Sequence, residues 1–141
     1  MERSDLRYDA DYPKAASLLG KGYILPAPVL PVARFRTELL PTPMATCQQE
    51  LALAVLVYDA DGTEVARHAF GRMPRSEMRL LDVNTFLTAA QKSLPSGYGH
   101  VELIYDLAAG DQVDCWLHGL FRYRALDSGH VAETSFGAHL F

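Results

Sequence analysis

Hydrophobic and polar residues alternate with a period of two along most of this chain, which is the pattern of β-strands that bury one face. Residues 51–58, LALAVLVY, are apolar at nearly every position and predict a strand in the core. The turn residues Asp61 and Gly62 follow, and residues 63–70 alternate again. The two segments therefore predict a β-hairpin.

Three more segments show the alternation of strands, at residues 32–40, 77–83 and 98–107. Residues 22–31 carry three prolines, which remove backbone donors, so we predict an extended edge segment there. The prolines at 41 and 43 are predicted to end the strand before them, and residues 71–75 to form a proline-containing turn.

Residues 114–141 predict a second, longer hairpin, whose turn is Asp127-Ser128-Gly129. With this turn at the tip, Arg122 lies opposite Glu133. The same register puts Trp116 roughly opposite His139. One face of the hairpin is then core-like and the other is polar. The polar face carries six candidate residues for binding a ligand or partner, namely Trp116, His118, Arg122, Glu133, Ser135 and His139.

One short helix is predicted over residues 85–93, with Asn84 as its N-cap. The strands number about seven and are joined mostly by hairpin-type turns. We therefore predict an all-β fold, a single-domain antiparallel β-sandwich with one short helix. The sandwich domain is expected over residues 23–141, after an N-terminal arm or tail at residues 1–22.

Composition and charge narrow the classes of protein to which the chain can belong. The net charge of −4 disfavours a nucleic-acid binder, which needs a basic surface to displace counterions from phosphate. Cys47 and Cys115 are isolated and form neither a metal-binding spacing nor a CxxC motif, so free thiols and a cytoplasmic location are expected. The chain has no signal-peptide pattern and no apolar run long enough for a bilayer, so we expect no membrane insertion.

Four residues are candidate metal ligands, namely His118, His130, Glu133 and His139. Imidazoles and a carboxylate suit Zn²⁺ or another first-row metal. The predicted register places His130 on the face opposite to Glu133 and His139, and the HExxH spacing is absent. A metal-dependent enzyme is thus the alternative hypothesis, whereas the favoured interpretation involves no cofactor.

Ser135, His139 and Glu133 also supply the residue types of a nucleophilic triad. The chain lacks a G-x-S-x-G elbow, and an extended strand does not present a serine on a strained turn. Cys115 belongs to the core-like face, where apolar surroundings make a thiol unreactive. We therefore assign no catalytic residue.

Several segments follow one another in an order that is also found in a known family. They are Gly22-Tyr23-Ile24 with the prolines after it, Val57-Tyr58 before an Asp-Gly turn, Pro74-Arg75 leading into Met78-Arg79-Leu80, the strand from Val101 to Tyr105, and Leu117-His118-Gly119-Leu120-Phe121-Arg122. This order resembles the small bacterial β-sandwich family of the sensory rhodopsin transducer type, over roughly residues 22–128. The resemblance implies a sandwich that oligomerises or binds a partner or a sugar-like ligand. Residues 130–141 depart from the pattern, so no functional residue is carried over.

The polar face of the second hairpin is best explained as a binding surface. Trp116 and Arg122 offer a stacking ring and a planar hydrogen-bonding group, with Tyr98 and Tyr105 expected nearby. These are the groups that recognise sugars and form the energetic centres of protein interfaces. We therefore predict a non-enzymatic binding or protein-interaction module, which forms a homo-oligomer or recognises a carbohydrate-like ligand or another protein.

Overall fold

The computed structural model describes residues 21–43, 50–106 and 116–139, and at 21–24, 43, 116–117 and 137–139 it describes the backbone alone. These ranges form eight β-strands and one α-helix. In chain order the elements are β1 (Lys21–Val29), β2 (Phe35–Pro43), β3 (Glu50–Asp59), β4 (Glu64–Pro74), β5 (Leu81–Asp82), α1 (Val83–Ala89), β6 (Gly99–Asp106), β7 (Trp116–Ala125) and β8 (Val131–His139).

The strands form two antiparallel four-stranded sheets that pack face to face. The first sheet has the order β1-β6-β3-β4 and the second has the order β5-β2-β7-β8. Their inner faces share one apolar core, in which Leu25 and Leu103 of the first sheet lie against Phe121 of the second. A Cβ atom added to Gly119 would lie 3.1 Å from Leu103 Cδ2, so the sheets approach closely there. The predicted all-β sandwich with one short helix is confirmed, with eight strands in place of about seven.

Strand β3 lies in the interior of the first sheet, between β4 and β6. Successive side chains of a strand point to opposite faces, so an uninterrupted apolar run indicates burial on both sides. Leu53, Val55 and Val57 are buried in the core between the sheets. Leu56 is buried with Ile104 in a second, smaller cluster. The predicted hairpin of β3 and β4 is confirmed.

Strand β2 differs from the prediction at both ends. Residues 32–34 form a turn, in which the Phe35 N–H donates to the Pro31 carbonyl at 2.9 Å, so the strand begins at Phe35. It then continues through Pro41 to Pro43 instead of ending before them. β5 pairs with β2 only at Glu38 and Leu39, so beyond these residues one side of β2 needs no backbone donor. Proline is tolerated at such an edge.

The predicted turn at 71–75 and the predicted strand at 77–83 are both wrong in extent. β4 continues to Pro74 through a bulge at Gly71, which takes a φ of +69° that glycine adopts without steric cost. The later strand is limited to Leu81 and Asp82. Met78 and Leu80 alternate as a strand would, but both side chains are exposed.

The helix begins two residues earlier than predicted and has a different N-cap. The carboxylate of Asp82 accepts a hydrogen bond from the Thr85 N–H at 2.9 Å and caps the helix. Asn84 instead joins the helix to the second sheet, since its amide donates to the Phe35 carbonyl at 3.0 Å. The sequence did not distinguish Asp82 from Asn84 as the N-cap, because Asp and Asn are equally favourable at that position.

Several predictions concern residues that lie outside the described ranges. The N-terminal arm falls there except for Lys21 and Gly22, which belong to β1. Cys47 and Cys115 also lie outside. Within the ranges, no helix has the length and apolar character that crossing a bilayer requires.

A hydrogen-bonded carboxylate at the end of β3 is expected to make the stability of the fold depend on pH. Asp59 accepts hydrogen bonds from the Ser96 hydroxyl at 2.7 Å and from the Ser96 N–H at 3.0 Å. The hydroxyl bond is the largest cause that lowers the pKa of Asp59. The folded pKa therefore lies below the unfolded value of about 4, so these bonds stabilise the fold above that pH and are lost as pH falls through the folded pKa.

We expect Ser96→Ala to raise the pKa of Asp59 and to weaken the acid dependence of the free energy of unfolding below about pH 4. Carboxyl NMR titration and urea unfolding at a series of pH values would measure both effects. Ser93→Ala, at an exposed serine in the same connection, is the matched control. An unchanged Asp59 pKa in Ser96→Ala would contradict the assignment.

Candidate functional site

The β7–β8 hairpin forms in the predicted register. Arg122 lies opposite Glu133, and Trp116 lies opposite His139. Gly129 in the turn has a φ of +70°, and the Asp127 carboxylate accepts from the Ser128 N–H at 2.6 Å. These residues are the turn chemistry on which the prediction depended.

Alternation along the hairpin separates a buried face from an outward face. Gly119 and Phe121 are buried, whereas Leu120 and Arg122 are only half-buried. The six predicted residues occupy outward register positions, and we call this set the hairpin face: Trp116, His118, Arg122, Glu133, Ser135 and His139. The side chains of Trp116 and His139 lie outside the described part of the structure.

The neighbouring strands of the second sheet extend the hairpin face. Glu38 of β2 lies opposite Arg122, and Asp82 of β5 lies opposite Glu38. Directly opposed residues of antiparallel strands point to the same side of the sheet. A row of four charged residues therefore crosses all four strands, in the order Asp82, Glu38, Arg122 and Glu133.

Arg122 is the centre of an ion-pair network on this surface. Its Nε donates to Glu133 Oε1 at 2.6 Å, and its Nη1 donates to Glu38 Oε2 at 3.4 Å. The hydrogen bond to Glu133, followed by the charge of that carboxylate, raises the pKa of Arg122. Arg124 Nε lies 3.9 Å from Glu38 Oε1, so two guanidinium groups flank this carboxylate.

The two carboxylates that bind Arg122 differ in how far they are buried. The Glu133 side chain is 45% exposed, and exposed pairs of this kind contribute only about 0.2–1 kcal/mol. The Glu38 side chain is 11% exposed, so its charge depends on the two arginines for compensation. Glu38 is therefore the buried carboxylate whose charge Arg122 and Arg124 compensate, while Glu133 remains accessible from solvent.

The predicted metal ligands are not brought together as a set. His118 pairs with Gly137 near one end of the hairpin, whereas the His130 carbonyl accepts from the Ala125 N–H next to the turn. Seven residues of strand separate these levels, a distance of about 23 Å. His118 and His130 therefore do not lie at one site. In the parts of the chain that the structure describes, no three His, Cys, Asp or Glu residues could hold a metal ion.

The structure also places the residues of the nucleophilic triad and the two tyrosines that were expected near the hairpin face. Ser135 lies opposite Leu120, and the carboxylate of Glu133 is bonded to Arg122. Tyr105 is 3% exposed in the core of the first sheet, and Tyr98 precedes β6 in that sheet. The expectation that these tyrosines join the hairpin face is wrong, because β6 belongs to the other layer.

A surface depression of about 410 Å³ lies beside β2, lined by Arg36, Asn84, Thr85, Thr88 and Ala89. Its volume is in the range of small-molecule sites. Arg36 contributes its only charged group and is paired with Asp82 at 2.8 Å. Most of the surface that lines the depression is apolar, so it offers few groups that would orient a polar ligand.

Sequence reasoning missed the contribution of β2 and β5 to the site. Arg36 and Glu38 are two residues apart and share one side of a strand, so their common orientation was readable from the alternation. Their position beside β7 was not, because no turn connects β2 directly to β7. Asp82 was likewise assigned to a longer strand and not to this surface.

Comparison with known proteins gave no match. No protein-family model, no curated protein and no solved structure matches the chain. The resemblance to the sensory rhodopsin transducer type therefore stays a prediction.

Proposed function

We propose that this chain is a non-enzymatic interaction module that binds its partner through the hairpin face. The partner is a second copy of the chain, another protein or a carbohydrate-like ligand. The observation that carries the proposal is the charged row across four strands, centred on a half-buried arginine that two carboxylates hold in place.

A held guanidinium group is well suited to recognition. Arg122 is 31% exposed and has its side chain bonded on both sides, to Glu38 and to Glu133. Binding costs less conformational entropy when the contacting side chain is already ordered. Arginine and tryptophan are also the residues most enriched at the energetic centres of interfaces.

The hairpin face combines these charges with apolar positions. Leu120 lies between His118 and Arg122 on the outward side of β7, and Trp116 has the next outward position beyond His118. An apolar centre bordered by polar groups is the usual composition of a protein interface. The guanidinium group of Arg122 and the hydroxyl of Ser135, on neighbouring strands, are also groups that form hydrogen bonds with sugars.

Replacing Arg122 with alanine tests the proposal. We expect Arg122→Ala and Trp116→Ala each to weaken self-association or sugar binding at least about tenfold, as is typical of residues at an interface centre. Light scattering over a concentration series measures self-association, and an immobilised panel of oligosaccharides measures sugar binding. Circular dichroism melting confirms that each variant is folded.

Arg72→Ala is the matched control, because Arg72 also pairs with a glutamate, Glu50 at 3.3 Å, but lies in the first sheet. It should change neither measurement. A wild-type protein that is monomeric at every concentration and binds no oligosaccharide of the panel would exclude a second copy and a sugar as the partner. The proposal fails if Arg72→Ala weakens binding as much as Arg122→Ala does.

A further inference from the structure

We infer that two copies of the chain join through the edge of β8 that pairs with no other described strand, so that their second sheets form one continuous sheet across a two-fold axis. This inference goes beyond the proposed function, because the pairing uses the edge of β8 and leaves the outward side of the hairpin face uncovered. Strands at the edge of a sheet offer unpaired backbone groups that pair readily with another strand.

The other described edges carry features that oppose such pairing. β1 has Pro26 and Pro28, which lack backbone donors and have exposed side chains. β4 is interrupted by the bulge at Gly71 and carries Glu64, Arg67 and Arg72. β5 is only two residues long and is followed directly by α1. Natural sheets use these same devices to prevent association.

β8 has none of these features. It is nine residues long, and its register with β7 has no bulge or shift. It contains no proline, lysine or arginine, and Glu133 is its only charged residue. Among the described strands it pairs with β7 alone. A regular, nearly uncharged edge of this length is the kind of edge that pairs with another strand.

The backbone geometry shows which groups face this edge. The Ala125 N–H donates to the His130 carbonyl at 2.9 Å, which makes these two residues a hydrogen-bonded pair. Along an antiparallel ladder, such pairs alternate with pairs whose N–H and C=O groups point away from the partner strand. The N–H and C=O groups of Val131, Glu133 and Ser135 therefore point away from β7, toward this edge.

The charge of Glu133 selects the register between the two copies. An axis at Glu133 would place this carboxylate opposite itself, and directly opposed like charges are destabilising. An axis at Ser135 places Glu133 opposite Gly137 and Val131 opposite His139. It also brings Phe136, which is 39% exposed, beside the Thr134 position of the second copy. Ser135 is also the central residue of β8, so an axis there pairs the full length of both strands, and we assign the two-fold axis to Ser135.

Proline substitution at the axis tests this arrangement. Because the Ser135 N–H points away from β7, Ser135→Pro removes a donor for the second copy and no hydrogen bond within the sheet. We expect the wild type and the matched variant Ser135→Ala to have twice the monomer mass by light scattering. Ser135→Pro should have the monomer mass, with an unchanged circular dichroism spectrum.

A cross-link tests the same register without weakening the strand. With Cys47 and Cys115 replaced by serine, Ser135→Cys should be joined to the second copy by a short thiol-specific cross-linker, because the Cβ atoms of a hydrogen-bonded pair lie about 5.5 Å apart, too far for a direct disulfide. Glu64→Cys, on the edge of β4, should not. Absence of the Ser135→Cys cross-link overturns the assignment of the axis, even if Ser135→Pro fails to fold.

The outcomes separate this inference from the proposed function. A monomeric wild type that binds sugar through Arg122 would overturn the edge pairing and support the binding module. A dimer that survives Ser135→Pro but dissociates in Trp116→Ala would show face-to-face association, which also overturns the edge pairing alone. A dimer lost in Ser135→Pro and retained in Ser135→Ala supports the pairing of β8 strands.

Discussion

Gly99→Ala is expected to destabilise the fold by about 3 kcal/mol or more, at the upper end of the range for overpacking substitutions. A Cβ atom at Gly99 would overlap the carbonyl oxygen of Tyr58 and lie 3.0 Å from its carbonyl carbon. Both atoms belong to the backbone of β3, which is bonded on both sides and buried, so the overlap cannot be relieved by a side-chain rotation. The start of β6 would have to move away from its partner strand.

Urea unfolding of the two proteins would measure this loss. Gly62→Ala is the matched control, because Gly62 has a φ of +86° but no atom within 4 Å of an added Cβ. It should cost only the left-handed backbone term of about 1–2 kcal/mol. If Gly99→Ala costs no more than Gly62→Ala, the close approach of β6 to Tyr58 is contradicted.

Phe121→Ala is expected to cost about 3–5 kcal/mol, the range for removing a fully buried aromatic ring. Phe121 is 0% exposed, and its ring packs edge-to-face on Phe136 with centroids 5.7 Å apart. It lies on β7 between Leu120 and Arg122, so loss of the ring removes the support beneath the hairpin face. We expect the midpoint of urea unfolding to fall and the β7–β8 amides to exchange faster.

Phe136→Ala provides the comparison, since it deletes the other ring of the same pair from a partly exposed position on β8. It should cost clearly less, on the order of 1 kcal/mol. Equal costs for the two substitutions would mean that the ring contact, and not burial beneath the hairpin face, determines the stability of this region.

The elements that were predicted correctly are those whose evidence is local. The second hairpin depends on a turn at Asp127 to Gly129 and on alternation on both sides of it, so its register followed from counting outward from the turn. The hairpin of β3 and β4 followed in the same way. The prolines of β1 indicated an edge strand, and β1 is an edge of the first sheet.

Predictions failed where the alternation of apolar residues did not reflect burial. Met78 and Leu80 have the spacing of a strand but are 69% and 53% exposed. The intervening Arg79 donates to the Phe70 carbonyl at 2.7 Å and to Glu77 at 2.6 Å, and the first of these bonds holds the segment against β4. No local pattern distinguishes such a connection from a short strand, because the deciding contacts come from residues on another element.

The surface around the hairpin face was likewise predicted correctly only where the evidence was local. Its six positions on β7 and β8 follow from local register, so alternation was enough to group them. Glu38 and Asp82 joined the surface only because β2 lies between β5 and β7 in the folded sheet. The order of strands depends on which arrangement buries the most apolar surface between the two layers, and this is a property of the whole chain. Alternation therefore determined which side of each strand is polar, whereas packing decided which polar sides form one surface.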